Sequence, residues 1–302
     1  LNRKGAKHVG PTIFIAALCV FAVLNSATKL KNLKIAETPH LLQFPAMKPH
    51  FTKAIVRTPC AALINGITTA DLGLPDYAVA LQQHAAYVKA LENCGLEVLI
   101  LPADEGFPDS TFVEDVALCT RTCAVVTNPG APSRNGERAL IGEALRQFYP
   151  QLEEILTLGT LDAGDVMMVG GHFYIGLSER TNTEGAAQLI AILERHGMSG
   201  QAVPLQFVLH LKTGISYLEN NQLLVCGEFV DDPTFAKFDR IVVETDESYA
   251  ANCLWINDTV LVPAGFPKAL AKIEALGYAT IVLEMSEFEK VDGGLSCLSL
   301  RF

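Results

Sequence analysis

Val166-Met167-Met168-Val169-Gly170-Gly171-His172-Phe173-Tyr174-Ile175-Gly176, followed by a helical pattern from Glu184 to Arg195, is the stretch from which the architecture can be read. Two short apolar runs flank a glycine pair, and the periodicity then lengthens. The order is therefore strand, tight turn, strand, helix. The same theme recurs on both sides. Upstream, Val113 to Cys119 turns at Arg121 and Thr122, returns through Ala124 to Val126 and continues into an amphipathic segment from Glu137 to Phe148. Downstream, Leu254 to Ile256, a turn at Asn257 and Asp258, Thr259 to Val262, a helix from Pro267 to Leu276 and a strand from Ala279 to Leu283 repeat it. Two weaker copies complete the set. Ile215 to Leu218 and Leu223 to Val225 form a hairpin with a short helix, and Ala54 to Arg57, Ala78 to Leu91 and Val98 to Leu101 read as strand, helix, strand. Roughly five units spaced by about forty to fifty residues make an array. The last apolar run, Leu295 to Phe302, has neither a helix nor a polar cap after it. Pairing with an early unit would bury it and close a ring without open sheet edges. The expectation is one closed α/β domain with its site near the axis.

Composition narrows the partners. The chain has 302 residues, half of them apolar, and a formal charge of −10. That is enough for a sizeable core. With no basic field and no Lys/Arg cluster interleaved with aromatics, a nucleic-acid partner is excluded from the reading. The eight cysteines (Cys19, Cys60, Cys94, Cys119, Cys123, Cys226, Cys253 and Cys297) lack the paired close spacings of thiolate zinc sites and fit a reducing compartment, so no metal is expected. At the front, Lys4 and Lys7 precede an apolar run from Thr12 to Leu24 and the small residues Ser26 and Ala27. This has the pattern of a signal peptide and is too short for a confident membrane span. The alternative, which we favour, is non-native upstream sequence, since Met47 immediately precedes the first organised segment. Residues 1–46 are set aside on either reading, leaving 47–302 as one catalytic domain. A cytoplasmic location follows, or an exported one if the signal is real.

The strongest chemical candidate is Cys297 in Asp292-Gly293-Gly294-Leu295-Ser296-Cys297, read as a thiol after a double-glycine turn at the start of the closing strand. A lone thiol on a buried strand is ordinarily a small core hydrophobe. Two glycines just before it make poor strand material unless something approaches the backbone closely, which favours a nucleophile. A free thiol is mostly protonated near neutral pH and needs a nearby cation, which the substrate could itself supply. Of the seven histidines, His210 alone has apolar shielding, from Val208, Leu209 and Leu211, as a proton shuttle requires; a satisfied core histidine is the alternative. Acids gather before two of the hairpins, Asp109, Glu114 and Asp115 before one and Asp162 and Asp165 before the next. Each alone would pass as a turn former. At equivalent places in a ring they converge on one pocket suited to a guanidinium. Arg134 and Arg180 follow the second strands of those units, either as solvated loop residues or as a clamp for an α-carboxylate.

These motifs, in this order, resemble the dimethylarginine dimethylaminohydrolase family of guanidino-modifying enzymes. The likeness runs from about Lys53 to Phe302 and rests on Phe112-Val113-Glu114-Asp115, Asp162 to Asp165, Leu209-His210-Leu211-Lys212-Thr213-Gly214 and Asp292 to Cys297. It implies the pentein fold, a five-bladed α/β propeller of pseudo-fivefold symmetry. It also implies hydrolysis of methylated arginine to citrulline, through a covalent thiouronium and without a cofactor. By the resemblance Cys297 is the nucleophile, His210 the general acid and base, and Asp162 its orienting acid, where some bacterial relatives carry glutamate. Glu114 and Asp115 would hold the guanidinium. Asp109 and the carbonyls of Ile67 and Val291 would take the α-amino group, and Arg134 and Arg180 the α-carboxylate. The partner is then a small molecule, the chain itself a possible homodimer. Arginine deiminase chemistry is the nearest rival, although the chain lacks room for the helical insertion usual in that branch. An amidino transferase and a non-catalytic ring rank lower, since the latter would not need Cys297 and His210 together.

Overall fold

The structure is a computed structural model that describes residues 48–302. The expectation for residues 1–46 lies outside the described residues. Among the described residues, fifteen short strands fall into five three-stranded sheets. In the third of these blades Val166–Val169 pairs antiparallel with His172–Leu177, which pairs parallel with Ser199–Pro204. A parallel neighbour needs a crossover, and Thr183–Arg195 supplies it. Asn182 caps that helix by accepting the Gly185 N–H at 2.8 Å, and Ala186, Leu189, Ile192 and Leu193 bury one face.

The other blades repeat this plan. The second is Ala117–Cys119, Ala124–Val126 and Leu152–Glu154, with Glu137–Leu145 crossing over. The fifth is Leu254–Ile256, Thr259–Pro263 and Ala279–Leu283, with Pro267–Ala275. Its hairpin turns through Asn257 and Asp258 at φ 46° and 71°, left-handed angles that Asn and Asp tolerate and that match strand twist. The fourth blade, Ile215–Tyr217, Gln222–Val225 and Asp239–Val242, crosses over through two 3-10 turns where a short helix was expected. In the first, Lys53–Arg57 lies parallel to Glu97–Leu101 across helix Tyr77–Asn93. Its outer edge pairs antiparallel with Leu300–Arg301 from the chain's end.

Five buried clusters show how the blades join. Ile55 and Leu300 pack with Ala117 and Ile141, Val125 with Phe173 and Leu189, and Tyr174 with Leu223 and Phe235. Leu224 packs with Val260 and Ile273, and Ile256 and Leu261 with Val56 and Leu91. Each cluster joins one blade to the next, and the last returns to the first. The ring is closed, as the unpartnered terminal run required. Among the described residues no helix is long and apolar enough to cross a membrane.

Three local expectations are corrected. The closing strand is only Leu300–Arg301, and Cys297 sits in the 3-10 turn Ser296–Leu298 before it. Residues 109–116 are turns, so Asp115 precedes the second blade instead of running into a strand from Val113. His210 is not in a strand: it caps the helical turn Leu211–Gly214. All three lie where loops run from blade to axis, and the site is built from those loops.

Candidate active site

The Cys297 turn is held on every side. Its carbonyl accepts the Glu114 N–H at 3.1 Å, and its N–H reaches the Gly294 carbonyl at 3.2 Å. Asn252 accepts the Ser296 N–H at 3.0 Å and donates both to the Ser296 Oγ at 3.0 Å and to the Lys212 carbonyl at 2.9 Å. One amide thus ties the thiol's turn to the helical turn that begins at His210. The glycine pair serves this packing. A Cβ on Gly293 would stand 2.2 Å from the Phe112 ring, and one on Gly294 would stand 2.6 Å from the Asn252 amide carbon. The left-handed angle belongs instead to Asp292, at φ 55°, whose Oδ2 accepts from the Thr69 N–H at 2.6 Å.

His210 Nε2 lies 3.2 Å from Oδ2 of Asp162, so the shorter aspartate reaches the ring. Asp162 is 1% exposed, and its other oxygen accepts the Gly130 N–H at 2.8 Å. Burial works against its ionisation, but the bond to His210, the charge of Arg134 and the Gly130 N–H outweigh it and hold its carboxyl below the usual range. For His210 burial likewise opposes the charged form. The Asp162 hydrogen bond and the carboxylates of Asp115 and Asp165 win, and its pKa is pushed up to about 9. Asp165 went unassigned in the sequence reading. Fully buried, it accepts the Leu211 N–H at 2.9 Å and the Ser178 hydroxyl at 2.6 Å, and so anchors the turn that presents the imidazole.

Cys297, His210, Asp162, Asp115, Asp109, Arg134, Arg180, Ile67 and Val291 all line one cavity of about 50 Å³. Two of the expected binders differ in how they are used. Glu114 does not line it. Its Oε1 is held by Lys212 and Arg301, each at 2.7 Å, and all three line a different cavity. Arg134 does line it, but it is buried and makes five hydrogen bonds, to Asp115, to both oxygens of Glu137 and to the carbonyls of Asp109 and Phe112. Its main work is to hold the acids in place. Arg180 makes no ion pair among the described residues and is the freer partner for an anion. Asp109 accepts the Ile67 N–H at 2.9 Å, and burial pushes its carboxyl upward.

Among the residues lining this cavity, one oxygen stands out. Asp115 gives Oδ2 to Arg134, while its Oδ1 is buried without any partner. A carboxylate oxygen in that condition is costly unless a donor arrives with the ligand. Gly164 keeps the adjoining space clear: a Cβ there would stand 2.8 Å from both Asp115 Oδ1 and His210 Nδ1. The thiol is raised to about 12, first by burial and then by the charges of Asp115 and Glu114, against weaker help from the Gly294 N–H and Lys212. Charge from the neighbouring acids thus adds to burial in holding the proton on sulfur. Asp115, Asp162 and His210 offer ligand atoms within 4.8 Å of one another, as a metal would need. Asp162 and His210 are engaged with each other and Asp115 Oδ2 with Arg134, while Asp115 Oδ1 stays unpartnered.

A family model described as N,N dimethylarginine dimethylhydrolase, eukaryotic, matches residues 76–247. A Pseudomonas aeruginosa N(G),N(G)-dimethylarginine dimethylaminohydrolase is 56% identical over 253 residues, 83% of this chain and 100% of its own. A Streptomyces coelicolor protein of the same name is 36% identical over 250 residues, 82% of this chain and 96% of its own. A solved structure of the Pseudomonas aeruginosa enzyme, a cysteine-to-serine mutant complexed with citrulline, superposes with a TM-score of 0.83 at 55% identity, covering 84% of this chain and 100% of that one. The N-terminal domain of ArgZ, 18% identical with a TM-score of 0.75 over 82% of this chain and 97% of its own, shares the fold. With the five-bladed ring and the ordered motifs, an identity of this extent leaves one assignment: the chain belongs to the dimethylarginine dimethylaminohydrolase family.

Proposed function

We propose that this chain hydrolyses Nω-methylated arginine, asymmetric dimethylarginine and monomethylarginine, to citrulline and the methylated amine, with Cys297 as nucleophile and His210 as proton carrier. The observation that carries the reading is the unpartnered, buried Oδ1 of Asp115 in the cavity that also holds a protonated thiol. A guanidinium satisfies both at once. It donates to the free oxygen, and its positive charge offsets the carboxylates that hold the thiol up. Asp109 and the carbonyls of Ile67 and Val291, which line the same cavity, would take the α-amino group, and Arg180 with the remaining Arg134 N–H the α-carboxylate.

The steps follow from these charges. As the guanidinium binds, Cys297 loses its proton to solvent and the thiolate forms a C–S bond to the central carbon. His210, held as imidazolium by Asp162, gives its proton to the methylated nitrogen; the C–N bond breaks and the amine departs, leaving an S-alkylthiouronium. The neutral ring then takes a proton from water. Hydroxide adds to the carbon, the C–S bond breaks, and citrulline leaves. Incubation with dimethylarginine should yield citrulline and dimethylamine in equal amounts, with little citrulline from plain arginine. The reverse preference would favour the arginine deiminase reading, which shares every step but the leaving group.

A variant probes the space by Asp115. Gly164→Ala places a methyl 2.8 Å from Asp115 Oδ1 and His210 Nδ1 without requiring a left-handed angle. The fold should persist while kcat/KM falls by about 10²-fold or more, the usual result of a misplacement near 1 Å. Near wild-type turnover in Gly164→Ala would place the guanidinium elsewhere.

A further inference from the structure

Cys297 and His210 face two cavities. The small polar one contains Asp109, Asp115 and Arg180. On their other side a chamber of about 480 Å³ opens, walled by Leu72, Phe207, Val208, Ser248 and Tyr249. Leu72 and Phe207 are 53% and 83% exposed, large apolar side chains left at its mouth. The Tyr249 hydroxyl is spent on the Gly293 carbonyl at 2.7 Å. His210, Lys212, Asp292 and Glu289 line it too, the first three already held by Asp162, Glu114 and Thr69, so these five walls are the stretch suited to alkyl groups.

Its place relative to the sulfur gives it a use. Because Cys297, His210 and Gly293 line both cavities, a guanidine whose amino-acid end rests against Asp109 and Arg180, with its central carbon at Cys297, would turn its terminal nitrogen toward the chamber. Two methyl groups leave most of that space empty. Four carbons, each taking about the ~30 Å³ of a water molecule, would occupy roughly a quarter of it. Moving the added methylenes out of water favours their binding there.

We propose that this chamber receives Nω substituents larger than methyl, and that the chain hydrolyses Nω-monoalkyl arginines such as the n-butyl compound to citrulline and the primary amine. The proposal rests on the hydrolase reading given above. The bonds are the same: C–S forms, the C–N bond to the butyl-bearing nitrogen breaks with a proton from His210, and water releases citrulline as the C–S bond breaks.

The test compares Nω-butyl-L-arginine with asymmetric dimethylarginine, measuring citrulline and the released amine, in the wild type and in Ser248→Trp. Ser248 is exposed on the chamber wall, so the larger ring fills space without entering a core. In the wild type, butylamine should appear with a kcat/KM within about tenfold of the dimethylarginine value. In Ser248→Trp the ratio of butyl to dimethyl turnover should fall by at least about tenfold. Hydrolysis of dimethylarginine with no butylamine released would overturn the proposal and leave the functional reading intact. An unchanged ratio in Ser248→Trp would also overturn it, since the butyl group would then lie elsewhere. Citrulline from neither compound would instead sink the functional reading, and the proposal with it.

Discussion

Cys297→Ala is expected to lower citrulline formation from dimethylarginine by at least ~10⁴-fold, the scale seen when a covalent nucleophile is removed. The sulfur accepts one weak bond, from the Gly294 N–H at 3.4 Å, and the turn around it is fixed by Glu114, Asn252 and Ser296. Its loss should therefore leave the melting temperature almost unchanged. The remaining groups would still bind the guanidinium, so substrate should protect the variant against thermal unfolding even as turnover disappears. Activity above about a hundredth of wild type would mean that another group attacks the carbon.

Asp115→Asn should be nearly as damaging, for a different reason. The amide keeps the shape and loses the charge that meets the guanidinium, which costs about 10²- to 10³-fold in kcat/KM when a preorganised electrostatic partner is removed. Arg134 would lose one carboxylate but keep both oxygens of Glu137, so the stability loss should stay near 1–3 kcal/mol, below that of an unpaired buried charge. The signature lies in the thiol. Because the Asp115 charge helps hold Cys297 protonated, its removal lowers the pKa and puts more thiolate present at any given pH. Alkylation by iodoacetamide should quicken in Asp115→Asn while turnover collapses. Parallel losses in both rates would point to a disordered site.

The pattern of blades was legible because each rests on local signals. Apolar runs flanking Gly170-Gly171 and Asn257-Asp258 mark the hairpins of the third and fifth blades, and helical spacing from Glu184 marks a crossover. The closure of the ring followed from the bare terminal run, which pairs at Ile55 and Leu300. The site was legible as residue types and less so as geometry. Cys297 and His210 read as strand residues because their neighbours are apolar, yet both sit in helical turns that face the axis. Nothing in the local sequence tells a loop residue held by side chains from a strand residue paired through its backbone. Long-range partners were harder still. Glu114 and Asp115 are adjacent, and a chain that turns at them sends one to Lys212 and Arg301 and the other to the thiol. Asn252 escaped notice, and Asp165 was seen without its role, because their task is to satisfy backbone groups of remote loops, and such pairs leave no spacing to read.

The central claim is that the resting thiol is neutral and that the substrate's own charge makes it reactive. The direct measurement is the ultraviolet thiolate absorbance of the ligand-free wild type against pH, with Cys297→Ala subtracted so that only this sulfur is followed. With Cys297 pushed up to about 12, no difference signal should develop through neutral pH or below about pH 10. A thiolate already formed at pH 7 without ligand would contradict the account, because the acids of this site would then not be holding the proton on sulfur.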